Sequence, residues 1–371
     1  MGAMAKYEEI FDALRQGIID GRYDQSKPIP SERALMKSYA TSRTAVRHAV
    51  DELVRAGFVR RHHGRLTEVA YGGRGRRIGL IVQSYAEMFP PVCRRLLSLA
   101  QEKGYLLMVG DTSVGDHAER PANAKRLAEN FIRSGIAGVM YQPLAFHREA
   151  DRTNQEILRT FHAANIPVVL FDSAPLSTAE DCGFDIVGID NFTAGKRMAA
   201  HLVESGAETI VYAADKYPTE GNLQRLDGVR IYAEDHGVAC ETHFGEASAV
   251  ARKFARGAFG SGRTAILANC DHYAADVMRS IVALGKKVPE DVLLAGYDDV
   301  NEARMCTPPL TTVRMPCEEI AEEAFRCLQA RIADARVPPR RILLPVRLVI
   351  RESTGKGTST SQNKAKVKKT K

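Results

Sequence analysis

Long apolar runs are missing from this chain, and so is any grouping of cysteine. No stretch approaches the roughly 20 apolar residues that a membrane helix needs. The first residues, MGAMAKYEEIFDAL, carry acids where an export signal needs an apolar centre, so the protein is expected to stay in the cytoplasm. Seven cysteines are scattered singly with no CxxC, which argues against a disulfide framework and against a cysteine-held zinc. No metal or other cofactor is expected. GxSxG, a Walker loop and HExxH are absent too, which removes the commonest equipment for hydrolysis and phosphoryl transfer. What remains is a globular composition, 44% hydrophobic and 26% charged, in 371 residues, too many for one core.

The net charge of +7 is unevenly placed. Residues 1–77 hold 15 Lys and Arg against 9 Asp and Glu; residues 354–371 hold 6 Lys and no acid; the stretch between them, 78–353, is net −5. A basic front and a basic tail around an acidic middle point to a polyanion at the ends and a different partner in the centre. The tail is almost free of apolar residues and reads as disordered, either a solubilising extension or an extra non-specific DNA contact.

Tyr7, Ile10, Leu14 and Ile18 recur at helical spacing and predict a helix over residues 6–20. Ser31 caps a second helix through Tyr39, and Thr41 and Ser42 open a third that places Val46, Ala49, Val50 and Leu53 on one face and stops at Gly57. FVRRHHGRLTEVAY then reads as a small hairpin turning at His63 and Gly64. Three helices and a hairpin make a winged helix-turn-helix. PSERAL, TSRTAVRHAVDELVRAGFV and RRHHGR, in that order over residues 5–70, resemble the GntR family of bacterial DNA-binding domains. A helix that opens Ser-Arg-Thr exposes hydroxyls and a forked donor where phosphates and guanine edges are gripped. The resemblance implies DNA contacts from Arg33, Ser42, Arg43, Thr44 and Arg47, with His63, Gly64 and Arg65 bringing the wing to the minor groove. The chain departs from the family at the wing, where Glu68 stands at a usually apolar position, and before the second helix, where QSKPIP replaces PGxxLP.

GGRGRR at 72–77 reads as a short basic linker. Its GxG has neither a preceding strand nor a following helix start, so it is no dinucleotide fingerprint. Beyond it, RIGLIVQ, GYLLMVGD, IAGVMYQP, IPVVLFDS, DIVGIDN, ETIVYAAD, TAILANCD and DVLLAGYDD are nearly continuous apolar runs separated by helix-length amphipathic stretches. Such alternation predicts an α/β architecture with parallel sheets. Residues 76–353 resemble the LacI-type effector domain, itself similar to periplasmic sugar-binding proteins, through RIGLIV, VGIDNFTAGKRMAAHLVESG, LQRLDGVRIYAEDHGV, ANCDHYAADVMRSIVALGKKVPEDVLLAGYDDV and PPLTTVRMP. A GntR-type reader joined to such a domain looks like the arabinose-repressor branch of that family. The expected division is a reader at 1–71, the linker, a two-lobed α/β domain at 78–353 and a tail at 354–371.

Ligands of open α/β sheets bind beyond the carboxyl ends of the strands. The residues there are Ser84, Tyr85 and Phe89, then Asp172, Asn269 and Asp271, and Asp298, with Arg225 ahead of a helix at Asp227. The resemblance assigns ligand contact to Asp172, Arg225 and Asp298 and places a stacking aromatic near Phe244. Where the family has Asn-Asp this chain has Cys270-Asp271, so the amide falls to Asn269 or is lost. Asp190 and Asn191 read as a turn and cap. Acids with one Arg suit a neutral sugar better than a phosphorylated one. The expected protein is a homodimeric, nucleoid-associated transcriptional repressor on a pseudo-palindromic double-stranded operator, controlled by a small sugar. A sugar- or nucleotide-acting enzyme on the same scaffold is the alternative.

Overall fold

A computed structural model of the chain describes residues 6–19, 22–23, 28–56, 58–61, 67–69, 77–83, 89–175, 183–260 and 262–355. The expectations for His63, Gly64, Arg65, Ser84, Tyr85, most of the linker and the tail beyond Gly355 lie outside these residues.

The reader consists of α1 (Lys6–Ile19), α2 (Glu32–Ser38), α3 (Arg43–Arg55) and the antiparallel pair β1 (Val59–Arg60) and β2 (Glu68–Val69). Each of the last two helices starts at a serine. Ser31 Oγ accepts the Ala34 N–H and Ser42 Oγ accepts the Ala45 N–H, both at 3.3 Å, satisfying an N–H that a helix start leaves orphaned. Ala40 bends the connection between them with φ of 46°. The i, i+3, i+4 stripes converge in one core of Ile10, Leu14, Ile18, Leu35, Val46, Ala49, Val50 and Leu53, closed by Val59 and Val69.

Behind the reader the chain is α/β with parallel sheets. A six-stranded sheet is made of β3 (Arg77–Val82), β4 (Leu106–Asp111), β5 (Val139–Tyr141), β6 (Val168–Asp172), β7 (Asp185–Ile189) and β13 (Arg341–Leu344), in the order β13-β7-β6-β5-β3-β4, every pair parallel. Its helices are α4 (Phe89–Glu102), α5 (Arg120–Arg133), α6 (Ala150–Ala163) and α12 (Cys317–Ala333). A second sheet contains β8 (Thr209–Ala214), β9 (Ala239–Phe244), β10 (Thr264–Ala268) and β11 (Leu293–Ala295) in the order β11-β10-β8-β9, again all parallel. With it go α7 (Asn191–Glu204), α8 (Glu220–Asp235), α9 (Ala247–Ala255), α10 (Asp271–Ala283), α11 (Asn301–Met305) and the antiparallel pair β12 (Thr312–Arg314) and β14 (Arg347–Val349). Strands buried on both faces explain why β7, β8 and β10 read as unbroken apolar runs.

The chain packs as two compact units, neither continuous in sequence. The first takes residues 1–190, 219–221 and 316–345, and the second takes 191–218, 222–315 and 346–371. In the first, buried Asp185 on β7 holds the returning segment: it accepts from Arg331 Nε of α12 at 2.5 Å and from Arg340 Nε at 3.2 Å, just before β13. In the second, α7 and α8 pack backbone to backbone at two glycines. A Cβ on Gly195 would lie 2.8 Å from the Arg225 carbonyl carbon, and one on Gly228 would lie 3.0 Å from Lys196 N.

Candidate functional site

On the reader, Arg33, Arg43, Thr44 and Arg47 are exposed near the starts of α2 and α3. Ser42 is exposed as well, and its oxygen is engaged as the α3 cap, which leaves its hydroxyl hydrogen as the group it can still donate. The sequence reading missed Glu32 and Arg61. Glu32 sits 3.5 Å from Arg43 Nε and 3.4 Å from Arg61 Nη2, and Arg61 also pairs with Asp51 of α3 at 2.5 Å. Arg61, next to β1, thereby braces the base of the wing against both helices. These partners lie 10 to 29 residues apart, and no periodicity announces them.

In the second unit the strand-end residues gather around Arg225. The guanidinium is buried: Nε donates to Asn191 Oδ1 at 2.7 Å, Nη1 donates to the Asn269 carbonyl at 2.8 Å, and its face lies 4.4 Å over the Tyr297 ring. Charge-assisted bonds and stacking hold the fork in one orientation. Two expectations are corrected. Arg225 lies within α8, which begins at Glu220 rather than at Asp227, with an acid in the first turn where the helix dipole favours one. Asn191 opens α7, and its side chain is a partner of Arg225 rather than only a turn residue.

Asn269 is the neighbouring node. It is 1% exposed; Nδ2 donates to Asp215 Oδ2 at 3.3 Å, while Oδ1 meets no donor among the described residues. Burial raises the Asp215 carboxyl above the ordinary carboxylate range, against the pull of the Asn269 amide. Asp298 follows β11 with φ of 109°, its N–H bonded to the Val313 carbonyl at 2.8 Å. Asp299 follows at φ of 55° and is tied to Arg314 at 2.6 Å and to Arg351. These ion pairs hold a backbone that non-glycine residues rarely adopt.

Asp271 stands apart from this cluster in role. Its carboxyl is fully buried, Oδ1 accepting from Thr312 Oγ1 of β12 at 2.7 Å and Oδ2 from Val300 N of the β11–α11 loop at 3.1 Å, so the two oxygens tie that loop to β12 from inside. Burial and the charge of Asp298 push its pKa well up. Phe244 ends β9 and is 40% exposed, an available flat face at the sheet edge. Cys270 precedes α10 with its thiol pushed up by burial and contributes no amide.

In the first unit Asp172 ends β6 at φ of 71° and accepts from Gln142 Nε2 at 3.0 Å. Gln142 in turn accepts the Gln83 N–H at 2.9 Å, and Gln83 reaches the Pro143 carbonyl at 2.7 Å. Two glutamines that the sequence reading passed over therefore orient the one acid it chose. Phe89 opens α4, and its ring lies outside the described side chains. Beside this network His117 and His147 face each other with ring centroids 4.9 Å apart.

Among the described residues no three His, Cys, Asp or Glu side chains converge to hold a metal, and no helix is long and apolar enough to cross a membrane.

Residues 6–69 match the model of bacterial regulatory proteins of the gntR family, and residues 199–354 match that of a periplasmic binding protein-like domain. The chain is 25% identical to the arabinose metabolism transcriptional repressor of Geobacillus stearothermophilus, over 95% of this chain and 98% of that protein. It is likewise 25% identical to the ribose operon repressor of Halalkalibacterium halodurans, over 77% and 81%. A solved structure of the transcriptional regulator CelR–cellobiose complex shares the fold at a TM-score of 0.64 and 22% identity, covering 95% of this chain and all of that one. The reader's capped helices, the two parallel sheets and these matches together make the chain a gntR-type helix-turn-helix domain followed by a periplasmic-binding-protein-like domain of the LacI type.

Proposed function

We propose that this chain is a sequence-specific transcriptional repressor of carbohydrate-utilisation genes whose grip on DNA is set by a neutral sugar. The observation that carries the reading is Arg225, buried and held by Asn191, Asn269 and Tyr297 beside the carboxylates of Asp215 and Asp298. A charged fork fixed at the strand ends of a parallel sheet, among acids and amides, is equipped to bind vicinal hydroxyls. The relatives named as arabinose and ribose repressors support the sugar class. Phe244 supplies a flat apolar face, and Asp271 accepts the Val300 N–H behind Asp298.

The reader acts through Arg43, Thr44 and Arg47 at base edges and through Arg33 and Ser42 at phosphates, with His63, Gly64 and Arg65 at the wing. Two copies of the chain place two readers on a pseudo-palindrome in the nucleoid, and the chain binds its sugar without transforming it. Thermal-shift screening against neutral sugars, sugar acids and sugar phosphates tests the first half. A ligand at a hundred times its Kd stabilises by about 2.7 kcal/mol, and Arg225→Ala abolishes the shift. A gel shift with and without the hit tests the second: sugar weakens operator binding by about 5- to 150-fold. Sugar that strengthens binding overturns repression, and a hit confined to nucleobases or amino acids overturns the sugar.

A further inference from the structure

The second unit carries a cavity that shares only Asp215 with the reading above. It has a volume of about 550 Å3, within the roughly 300–1,000 Å3 of small-molecule sites. Asp215 and Lys216 after β8, Glu246 and Ser248 at the start of α9, and Tyr273 and Asp276 of α10 line it. Its floor is tied down: Gly245 N–H bonds to the Ala214 carbonyl at 2.9 Å, and the Tyr273 hydroxyl donates to the Gly245 carbonyl at 2.9 Å. Small residues at the lip, Ala247 and Ser248, leave the space open.

The lining chemistry narrows the occupant. Carboxylates outnumber the basic groups Lys216 and Arg279, and Arg279 already pairs with Asp276, so an anionic ligand is disfavoured. An apolar ligand would strip water from Asp215, Lys216 and Glu246 and return no hydrogen bond. A neutral group rich in hydroxyls donates to the acids and accepts from the ammonium.

One residue joins this cavity to the Arg225 cluster. Asn269 gives its carbonyl to Arg225 Nη1 and its amide N–H to Asp215, and the remaining oxygen of that amide is buried with no donor among the described residues. A buried acceptor left unmatched is unfavourable, and a hydroxyl arriving beside Asp215 supplies the donor. We infer that the sugar site extends from Arg225 through Asn269 into this cavity, and that the effector is an oligosaccharide whose second, hydroxyl-bearing ring sits against Asp215, Lys216 and Glu246. The inference rests on the sugar-effector reading and deepens it.

Calorimetric titration of the full chain with neutral monosaccharides and with the α- and β-linked disaccharides built from them tests it. In the wild type a disaccharide binds about tenfold or more tighter than its component ring, the equivalent of one charge-assisted hydrogen bond or more. Glu246→Ala removes that advantage and leaves monosaccharide affinity within about twofold of wild type. Ser248→Trp fills the lip without touching a core residue and does the same. Equal affinity for one ring and two, or equal weakening of both by Glu246→Ala and Ser248→Trp, overturns the second subsite while the sugar effector stands. If neither sugar size binds and another class of small molecule does, the sugar reading falls and the subsite with it.

Discussion

Replacing Gly228 by alanine separates two opposed effects. In an ordinary helix interior the change favours folding by about 1 kcal/mol, because alanine has less backbone freedom to lose. Here α8 crosses α7 so closely that the new Cβ would lie 3.0 Å from Lys196 N and equally near the Phe192 carbonyl carbon, where ordinary van der Waals contact begins at 3.4 Å. Both neighbours are backbone, so no rotamer change relieves the clash and the helices must separate. Overpacking of this kind costs about 1–3 kcal/mol. Against the propensity gain, the net expectation is a loss of up to about 2 kcal/mol, or up to about 8 °C in Tm for a domain of this size. The same shift moves the turn that carries Arg225, whose bonds to Asn191 and Asn269 are 2.7 and 2.8 Å long. Loosening one charged hydrogen bond weakens ligand binding by about tenfold. Differential scanning calorimetry gives the first number and titration with the hit from the sugar panel gives the second. A Gly228→Ala protein that melts higher than wild type and binds as tightly would refute the close-crossing argument; Gly195→Ala, opposite it on α7, repeats the test.

Three further outcomes are expected. Asp185→Ala leaves the buried Arg331 without its counter-charge and destabilises by about 3–5 kcal/mol in urea unfolding, and a loss below about 1 kcal/mol counts against the pair as the anchor of the returning segment. Arg43→Ala costs about 1–3 kcal/mol of operator affinity and relaxes base preference, whereas Arg33→Ala weakens all sequences alike and lowers the salt slope by about 1; identical behaviour of the two would remove the division between base and phosphate contacts. His147 accepts the Glu149 N–H at Nδ1, at 3.0 Å, and burial followed by the neighbouring His117 lowers its pKa. Because the folded value lies below the unfolded one, the stabilisation is complete above about pH 6.5 and is lost as pH falls through the lowered value. Urea midpoints at pH 7.5 and 5 should therefore differ less for His147→Asn, which keeps an acceptor that does not titrate; an unchanged difference rejects this role.

What could be read in advance follows the range of the interactions. Helix α3 was legible because its cap, Ser42, and its apolar face, Val46, Ala49, Val50 and Leu53, lie within one stretch of sequence. The eight apolar runs became strands for the same local reason. Strand β9 escaped notice because it lies at a sheet edge and only His243 is fully buried along it, so its sequence, ACETHF, carries polar residues. Strand β13, at the edge of the other sheet, has no fully buried residue. Around the candidate site, Arg225 and Asp298 were visible through the resemblance, but the roles of their neighbours were not. Asn191 lies 34 residues from Arg225 and Thr312 lies 41 from Asp271, distances over which no local pattern operates. Asp271 illustrates the consequence: its residue type suited a ligand contact, and only the tertiary fold adds the two hydrogen bonds that its oxygens accept from Thr312 and Val300.

The discontinuity of the first unit matters while the protein is being made. Residues 6–69 complete the reader's core from a single stretch, so that domain can fold soon after leaving the ribosome. Strand β7 has no such fortune: its edge partner β13 and the covering helix α12 come from a segment about 150 residues further on, between Ile189 and Arg341. At roughly 5–20 residues per second, the β7 edge stays unpaired and the face meant for α12 stays wet for about ten to thirty seconds of synthesis. An unpaired parallel edge is the kind of surface that recruits other chains. Slow translation or a truncation before residue 345 therefore exposes a sticky nascent sheet that already carries a finished DNA-binding head.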